Sequence, residues 1–171
     1  MARKKEHTVR YFYLFLGVIL IYGLGVNQSF AKKFSAATLR YYKDDCLTNE
    51  KAISCGKLGA ILEQQGKKKE AVGYYQKACQ ALIDPLGVTC YLWGLAVHRT
   101  KPNIAFAAYR RACQLQDPDG CTSAGEFFMR KGNISQAWAH YSKGCRGGDG
   151  RGCHRLARIL VKQKRPLPKT L

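Results

Sequence analysis

Eight cysteines and four histidines supply most of the reactive side chains in this sequence, and their spacing decides what chemistry they can do. A zinc site wants close Cys-x-x-Cys or similar pairs, which the chain lacks, and His7, His98, His140 and His154 do not stand at ligand spacing from one another. The cysteines instead fall into pairs along the chain: Cys46 with Cys55, Cys79 with Cys90, Cys113 with Cys121, and Cys145 with Cys153. In a chain that leaves the reducing cytosol, an even number of paired cysteines reads as a set of disulfides. A cysteine held in a disulfide has no thiolate to offer, which removes the Cys/His nucleophile as well. Neither a metal nor a cofactor is expected.

One serine motif has catalytic form. Ser54-Cys55-Gly56-Lys57 reads Ser-x-x-Lys, the nucleophile signature of serine β-lactamases and penicillin-binding proteins. No Ser-Asp-Asn follows it, and Lys169-Thr170-Leu171 only approaches Lys-Thr-Gly. The other reading makes Ser54 an N-terminal helix residue beside a structural cysteine, and no catalytic residue is assigned. Asn133-Ile134-Ser135 matches a glycosylation sequon, but Asn133 also stands where a helix takes its cap, and the cap is the reading adopted.

The N-terminus carries Arg3, Lys4, Lys5 and Arg10, then an apolar run from Tyr11 to Val26, then Ser29-Phe30-Ala31 with small residues at both ends of the triplet. That is the layout of a secretory signal peptide over residues 1–31, cleaved after Ala31. The alternative is an uncleaved membrane anchor, because the run approaches the roughly 18 to 20 residues needed to span a bilayer. Either reading puts the remainder in a secreted or periplasmic location, with membrane contact only through the N-terminal segment if it stays uncleaved. The whole chain has a formal charge of +18, and the part after Ala31 keeps 25 basic against 10 acidic residues, a formal +15.

The cysteine pairs are spaced as a repeat. First members recur after 33, 34 and 32 residues and second members after 35, 31 and 32, a period that fits a two-helix unit. Four residues before each first cysteine stands a tyrosine (Tyr42, Tyr75, Tyr109, Tyr141), and eight before it an alanine in three cases (Ala71, Ala105, Ala137). Spacings of four and eight share one helical face, so these residues form a stripe on one helix, called B. Four residues after each second cysteine comes Gly59, Gly94, Gly125 or Ala157, flanked three and seven on by Leu58 and Leu62, Trp93 and Val97, Ala124 and Phe128, Leu156 and Leu160. That pattern is an amphipathic helix, A, whose small central residue lets a neighbour approach closely. A glycine inside a helix costs about 1 kcal/mol against alanine, so three in register point to a packing need.

Stop and start signals separate A from B at Gly66, at Thr100 to Pro102, and at Gly132-Asn133. Turn chemistry lies inside the cysteine pairs, as Asp84-Pro85, Asp117-Pro118-Asp119-Gly120 and Gly147-Gly148-Asp149-Gly150. Each disulfide therefore pins one repeat to the next. In the loop-entropy description a ring of about nine residues contributes roughly 2 to 3 kcal/mol, so four rings supply much of the stability of a small solenoid.

Tyr74-Tyr75-Gln76-Lys77-Ala78-Cys79 and Tyr109-Arg110-Arg111-Ala112-Cys113-Gln114-Leu115, closed by Asp119-Gly120-Cys121, resemble the Sel-1-like repeats of the cysteine-rich Hcp type, over about residues 36 to 163. The resemblance implies an all-α fold, a right-handed superhelix of antiparallel helix pairs like tetratricopeptide arrays, with a concave groove lined by helix A. It implies adaptor function, and for secreted cysteine-rich members penicillin binding with weak β-lactamase activity. The chain departs from the pattern in its first unit, a half repeat with Asp44-Asp45 where a basic residue and alanine stand elsewhere, and in longer loops after Cys46 and Cys79.

The domain plan is thus a signal segment at 1–31, a helical repeat domain at 32–163 and a basic tail at 164–171. Basic residues cluster at Lys32, Lys33, Arg40 and Lys43, at Lys67 to Lys69, and from Lys162 to Lys169. Such clusters form a solvated face, or they steer anionic partners, meaning acidic proteins, phospholipid headgroups or envelope polymers. No groove-reading motif appears and export removes the chain from nucleic acid, which is not an expected partner. Tyr41, Tyr74, Tyr91 and Trp93 are either contact residues or packed between helices. The reading adopted is a scaffold that binds a protein or peptide on its concave face and is more a binder than an enzyme; the alternative is a β-lactamase-type hydrolase. A redox or assembly factor of another oxidising compartment would require the N-terminal run to be something other than a secretory signal.

Overall fold

The computed structural model describes residues 34–162; the expected signal segment at 1–31, Lys32 and Lys33, and the tail at 164–171 lie outside them. The described residues form eight helices and no strand. Helix B of the leading half repeat is α1 (Ala36–Thr48), followed by three A/B pairs: α2 (Ala52–Gln64) with α3 (Lys68–Gln80), α4 (Gly87–Val97) with α5 (Pro102–Gln114), and α6 (Pro118–Arg130) with α7 (Ile134–Arg146). A final A helix, α8 (Gly150–Lys162), ends the series. Each helix packs on the next, α4 touches α6 and α6 touches α8, and likewise α3 touches α5 and α5 touches α7, so A and B helices make two layers. None of these helices is long and apolar enough to cross a membrane.

Local chemistry sets the helix ends. Pro102 and Pro118 open α5 and α6, where the missing N–H costs nothing. Asp117 caps α6 by accepting the Gly120 N–H at 2.7 Å, and Asn133 caps α7 by accepting the Gln136 N–H at 3.0 Å. The last hinge closes with the Asp149 N–H reaching back to the Gly144 carbonyl at 2.9 Å through Gly148 at φ +96°. The hinge before it makes the same bond, Asp117 N–H to Ala112 carbonyl at 3.0 Å, but puts Gln116 in the left-handed position at φ +62°.

The stripe read from the sequence is the core. Ala71, Ala105, Ala137 and Tyr75, Tyr109, Tyr141 are all buried, and each tyrosine lies against the register glycine of its own repeat. A Cβ placed on Gly59 would fall 2.7 Å from the Tyr75 ring, one on Gly94 2.5 Å from Tyr109, and one on Gly125 2.7 Å from Tyr141. The glycines exist to admit those rings. Of the possible contact aromatics, Tyr74, Tyr91 and Trp93 pack against the core, and Tyr41 is exposed beside Tyr42.

All eight cysteines are paired in sequence order across the four hinges, with sulfurs 2.02 to 2.08 Å apart. All eight lie in the last turn of a B helix or the first turn of the following A helix, so each bridge ties a B helix to the A helix after it. The residues just before the two cysteines meet at the first, third and fourth hinges. They are small at the later ones, Ala112 with Gly120 and Gly144 with Gly152. At the first hinge the same places hold Asp45 and Ser54, both buried, with the Ser54 hydroxyl donating to Asp45 Oδ2 at 2.5 Å. The departure noted at Asp44-Asp45 is therefore a polar substitute for a small-residue contact.

Candidate functional site

Two clefts recur at the same register of the repeat, each between successive A helices and each reached by the stripe tyrosine of the intervening B helix. The first, about 440 Å³, is lined by Glu63 of α2, by Lys68, Lys69, Ala71, Val72 and Tyr75 of α3, and by Leu92, Leu95 and Ala96 of α4, with His98, Arg99 and Thr100 at the turn beyond. The second, about 250 Å³, is lined by Glu126, Met129 and Arg130 of α6, Tyr141 of α7, and Arg155 and Arg158 of α8. They recur because helix A presents the same turn of its surface, two, five, eight and nine residues past its cysteine, in every repeat.

Their chemistry differs. In the first, the Tyr75 hydroxyl donates to Glu63 at 2.8 Å, and burial followed by that carboxylate holds the phenol far above its usual range. The remaining wall is largely apolar, from Val72, Leu92, Leu95 and Ala96. In the second, Arg155 donates to Glu126 at 3.1 Å from one nitrogen and 3.3 Å from another. That fork neutralises one guanidinium, leaving Arg130 and Arg158 as the surplus charge beside Tyr141, whose phenol is held above its usual range by burial and then by Glu126. Two guanidiniums next to a methionine suit a carboxylate whose stem is apolar.

The Ser-x-x-Lys residues are engaged in the fold. Ser54 is 3% exposed and its hydroxyl serves Asp45, which also accepts from Asn49 at 2.8 Å and pairs with Lys51 at 3.1 Å. Ser54 first, then Asn49, holds the Asp45 carboxyl down at about 2. The Lys57 ammonium lies 5.3 Å over the Tyr42 ring. The arrangement supports a structural serine and gives the β-lactamase alternative nothing to build on. His98 and His140 direct Nδ1 to carbonyls of their own helices, at 2.6 Å from Leu95 and 2.9 Å from Gln136, and no cluster of three metal-ligating side chains gathers among the described residues. The cleft residues Glu126, Arg130, Arg155 and Arg158 escaped the sequence reading because charged positions on an amphipathic helix look like its solvated face. The signal that marks them is their shared register.

Paired antiparallel helices in two layers, repeating every 32 to 34 residues, define an all-α, tetratricopeptide-like helical repeat protein. Two solved structures of MamA, a protein of that class, are similar to it: both superpose with a TM-score of 0.53 at 20% sequence identity over 74% of this chain, covering 77% and 72% of theirs. No protein-family model matches the chain, and no curated protein does.

Proposed function

We propose that the chain is an exported scaffold, of the Sel-1-like cysteine-rich kind, that binds an acidic protein segment along the A-helix layer. The observation that carries this reading is the recurrence of one cleft at one register with two different linings. A bound segment would seat an apolar side chain against Leu92 and Leu95 and a carboxylate between Arg130 and Arg158. The four bridges across the hinges keep successive A helices at fixed spacing, which spares the ordering cost of binding. They are also compatible with an oxidising compartment, in keeping with the N-terminal export layout. The reading assigns no bond-making step.

The test is a fluorescent peptide panel of matched acidic, amidated and charge-reversed sequences, measured by anisotropy against the protein and its Arg130→Glu/Arg158→Glu variant. Acidic peptides should bind, and charge reversal of the two arginines should cost well over tenfold, since each charge-assisted contact is worth about 1.5 to 3 kcal/mol. Binding that ignores peptide charge, or survives the double variant, contradicts the reading.

A further inference from the structure

The alternation of helices sends every A-to-B turn to one edge of the repeat and every disulfide hinge to the other. The acidic residues divide along the same line, although at the hinge edge they are offset by basic ones such as Lys51, Lys77, Arg111, Lys143, Arg146 and Arg151. Seven of the ten acidic residues between 34 and 162 (Asp44, Asp45, Glu50, Asp84, Asp117, Asp119, Asp149) stand at or within a turn of the hinge edge. The turn edge holds Lys67, Lys68 and Lys69 at the first turn, Lys101 at the second, Lys131 at the third, and Lys162 at the end of α8. All six are exposed, and none forms an ion pair among the described residues.

Lys131 and Lys162 stand at helix C-termini, where a cation suits the helix dipole, but folding does not ask for lysine at the starts of α3 and α5. Lys67 and Lys101 occupy the N-cap positions of α3 and α5, neither makes a side-chain cap hydrogen bond, and a cation there opposes the helix dipole. At the hinge edge, by contrast, Asp117 caps α6 and so serves the helix it precedes. Apolar side chains are interleaved with the turn lysines: Ile104 and Ile134 in the first turns of α5 and α7, Trp138 one turn further in, and Val161 beside Lys162. Val161 is 75% exposed. Lysine with isoleucine and tryptophan on one exposed edge is the composition that settles at an anionic bilayer surface, cations at the headgroups and apolar tips at the acyl boundary. A nucleic acid or sulfated polymer would use the lysines and leave the isoleucines without purpose. The hinge edge exposes still more apolar surface at Leu82 and Ile83, but Asp84 follows directly and the edge holds most of the acidic residues, which such a membrane repels.

We propose that the edge formed by the A-to-B turns docks on an anionic phospholipid surface, a membrane contact distinct from the one the N-terminal segment would make if it stays uncleaved. It leaves the acidic-peptide reading of the clefts untouched, because Lys67, Lys101, Lys131 and Lys162 line neither cleft. The chain has two tryptophans, so the full chain carrying Trp93→Phe reports from Trp138 alone. Its fluorescence is followed with vesicles whose acyl chains carry bromine, of phosphatidylcholine alone or mixed with phosphatidylglycerol. Quenching should occur only on the mixed vesicles and fall with salt. A variant with Lys67, Lys101, Lys131 and Lys162 changed to Gln should lose well over tenfold in vesicle affinity, at roughly fivefold for each lysine near the surface. A variant with Lys43, Lys77, Lys143 and Arg146 changed to Gln removes as much charge elsewhere and should keep it. Three results overturn the proposal: no quenching on mixed vesicles, equal loss in both charge variants, or binding of heparin without binding of vesicles. The four-lysine variant should still bind the acidic peptides, so failure of the edge and failure of the clefts are told apart.

Discussion

Gly125→Ala isolates the packing rule on which the repeat is built. Alanine is the better helix former by about 1 kcal/mol, so in an open helix the change stabilises. At Gly125 the new Cβ would stand 2.7 Å from Tyr141 Cδ1, 2.8 Å from Cε1 and 3.3 Å from the Ala137 carbonyl oxygen. The Tyr141 ring is 1% exposed and wedged among Ala137, Leu156, Ile159 and Leu160, with room to give only toward the cleft it lines. Overpacking a tight core costs about 1 to 3 kcal/mol. Set against the helix gain, the net loss is about 1 kcal/mol, or a Tm lower by about 4 °C for a domain of this size. Gly73→Ala is the internal standard: Gly73 is mid-helix in α3, exposed, and has nothing within 4 Å of its would-be Cβ, so the same change there should raise Tm by a similar amount. Thermal melts followed by far-ultraviolet circular dichroism compare the two, and Tyr141→Leu combined with Gly125→Ala should cost less than the two single changes together. A Gly125→Ala protein as stable as the Gly73→Ala protein would refute the reasoning.

Gln116→Gly should stabilise by up to about 1 kcal/mol in the same melts, since it places glycine where the neighbouring hinge already has Gly148, and a loss would mean the Gln116 side chain matters more than its backbone. Asp45 is held at about 2, below its unfolded value, so its contribution is complete above about pH 4 and fades as pH falls toward 2. Ser54→Ala, which removes the principal donor, should therefore flatten the decline in urea midpoint over that acid range. The same Ser54→Ala protein should hydrolyse a chromogenic cephalosporin at the same rate as the parent, that rate being the background in buffer. In alkali, burial has pushed the Tyr109 phenol up to about 12 and raised Tyr141 as well. The unfolded chain loses those protons first, so stability should fall as pH rises above about 10, with the last tyrosinate absorbance appearing only on unfolding.

Much of this fold is written in single positions. Seven of the eight cysteines, the alanines and tyrosines of the three complete stripes and the register glycines are buried, and a buried position in a repeat tolerates few residue types, so its identity recurs visibly. Even the partnership of Gly59, Gly94 and Gly125 with Tyr75, Tyr109 and Tyr141 follows from the two stripes once they are set facing each other. The first hinge was harder: Asp45 and Ser54 replace a steric match by a hydrogen bond, and residue type alone shows only a mismatch there. The clefts were not legible from any local pattern, only from shared register once the helices are stacked. Arg155 finds Glu126 across 29 positions, and Arg130 and Arg158 come together only when α6 and α8 stack, so nothing local distinguishes them from solvent-facing arginines.

Disulfide mapping tests most directly the claim that a binding surface is held in place by four hinge bridges. The purified protein, alkylated without reduction and digested, should yield no labelled cysteine and four linked peptide pairs, Cys46–Cys55, Cys79–Cys90, Cys113–Cys121 and Cys145–Cys153. Eight alkylated thiols in a protein of undiminished helix content and melting temperature would contradict it.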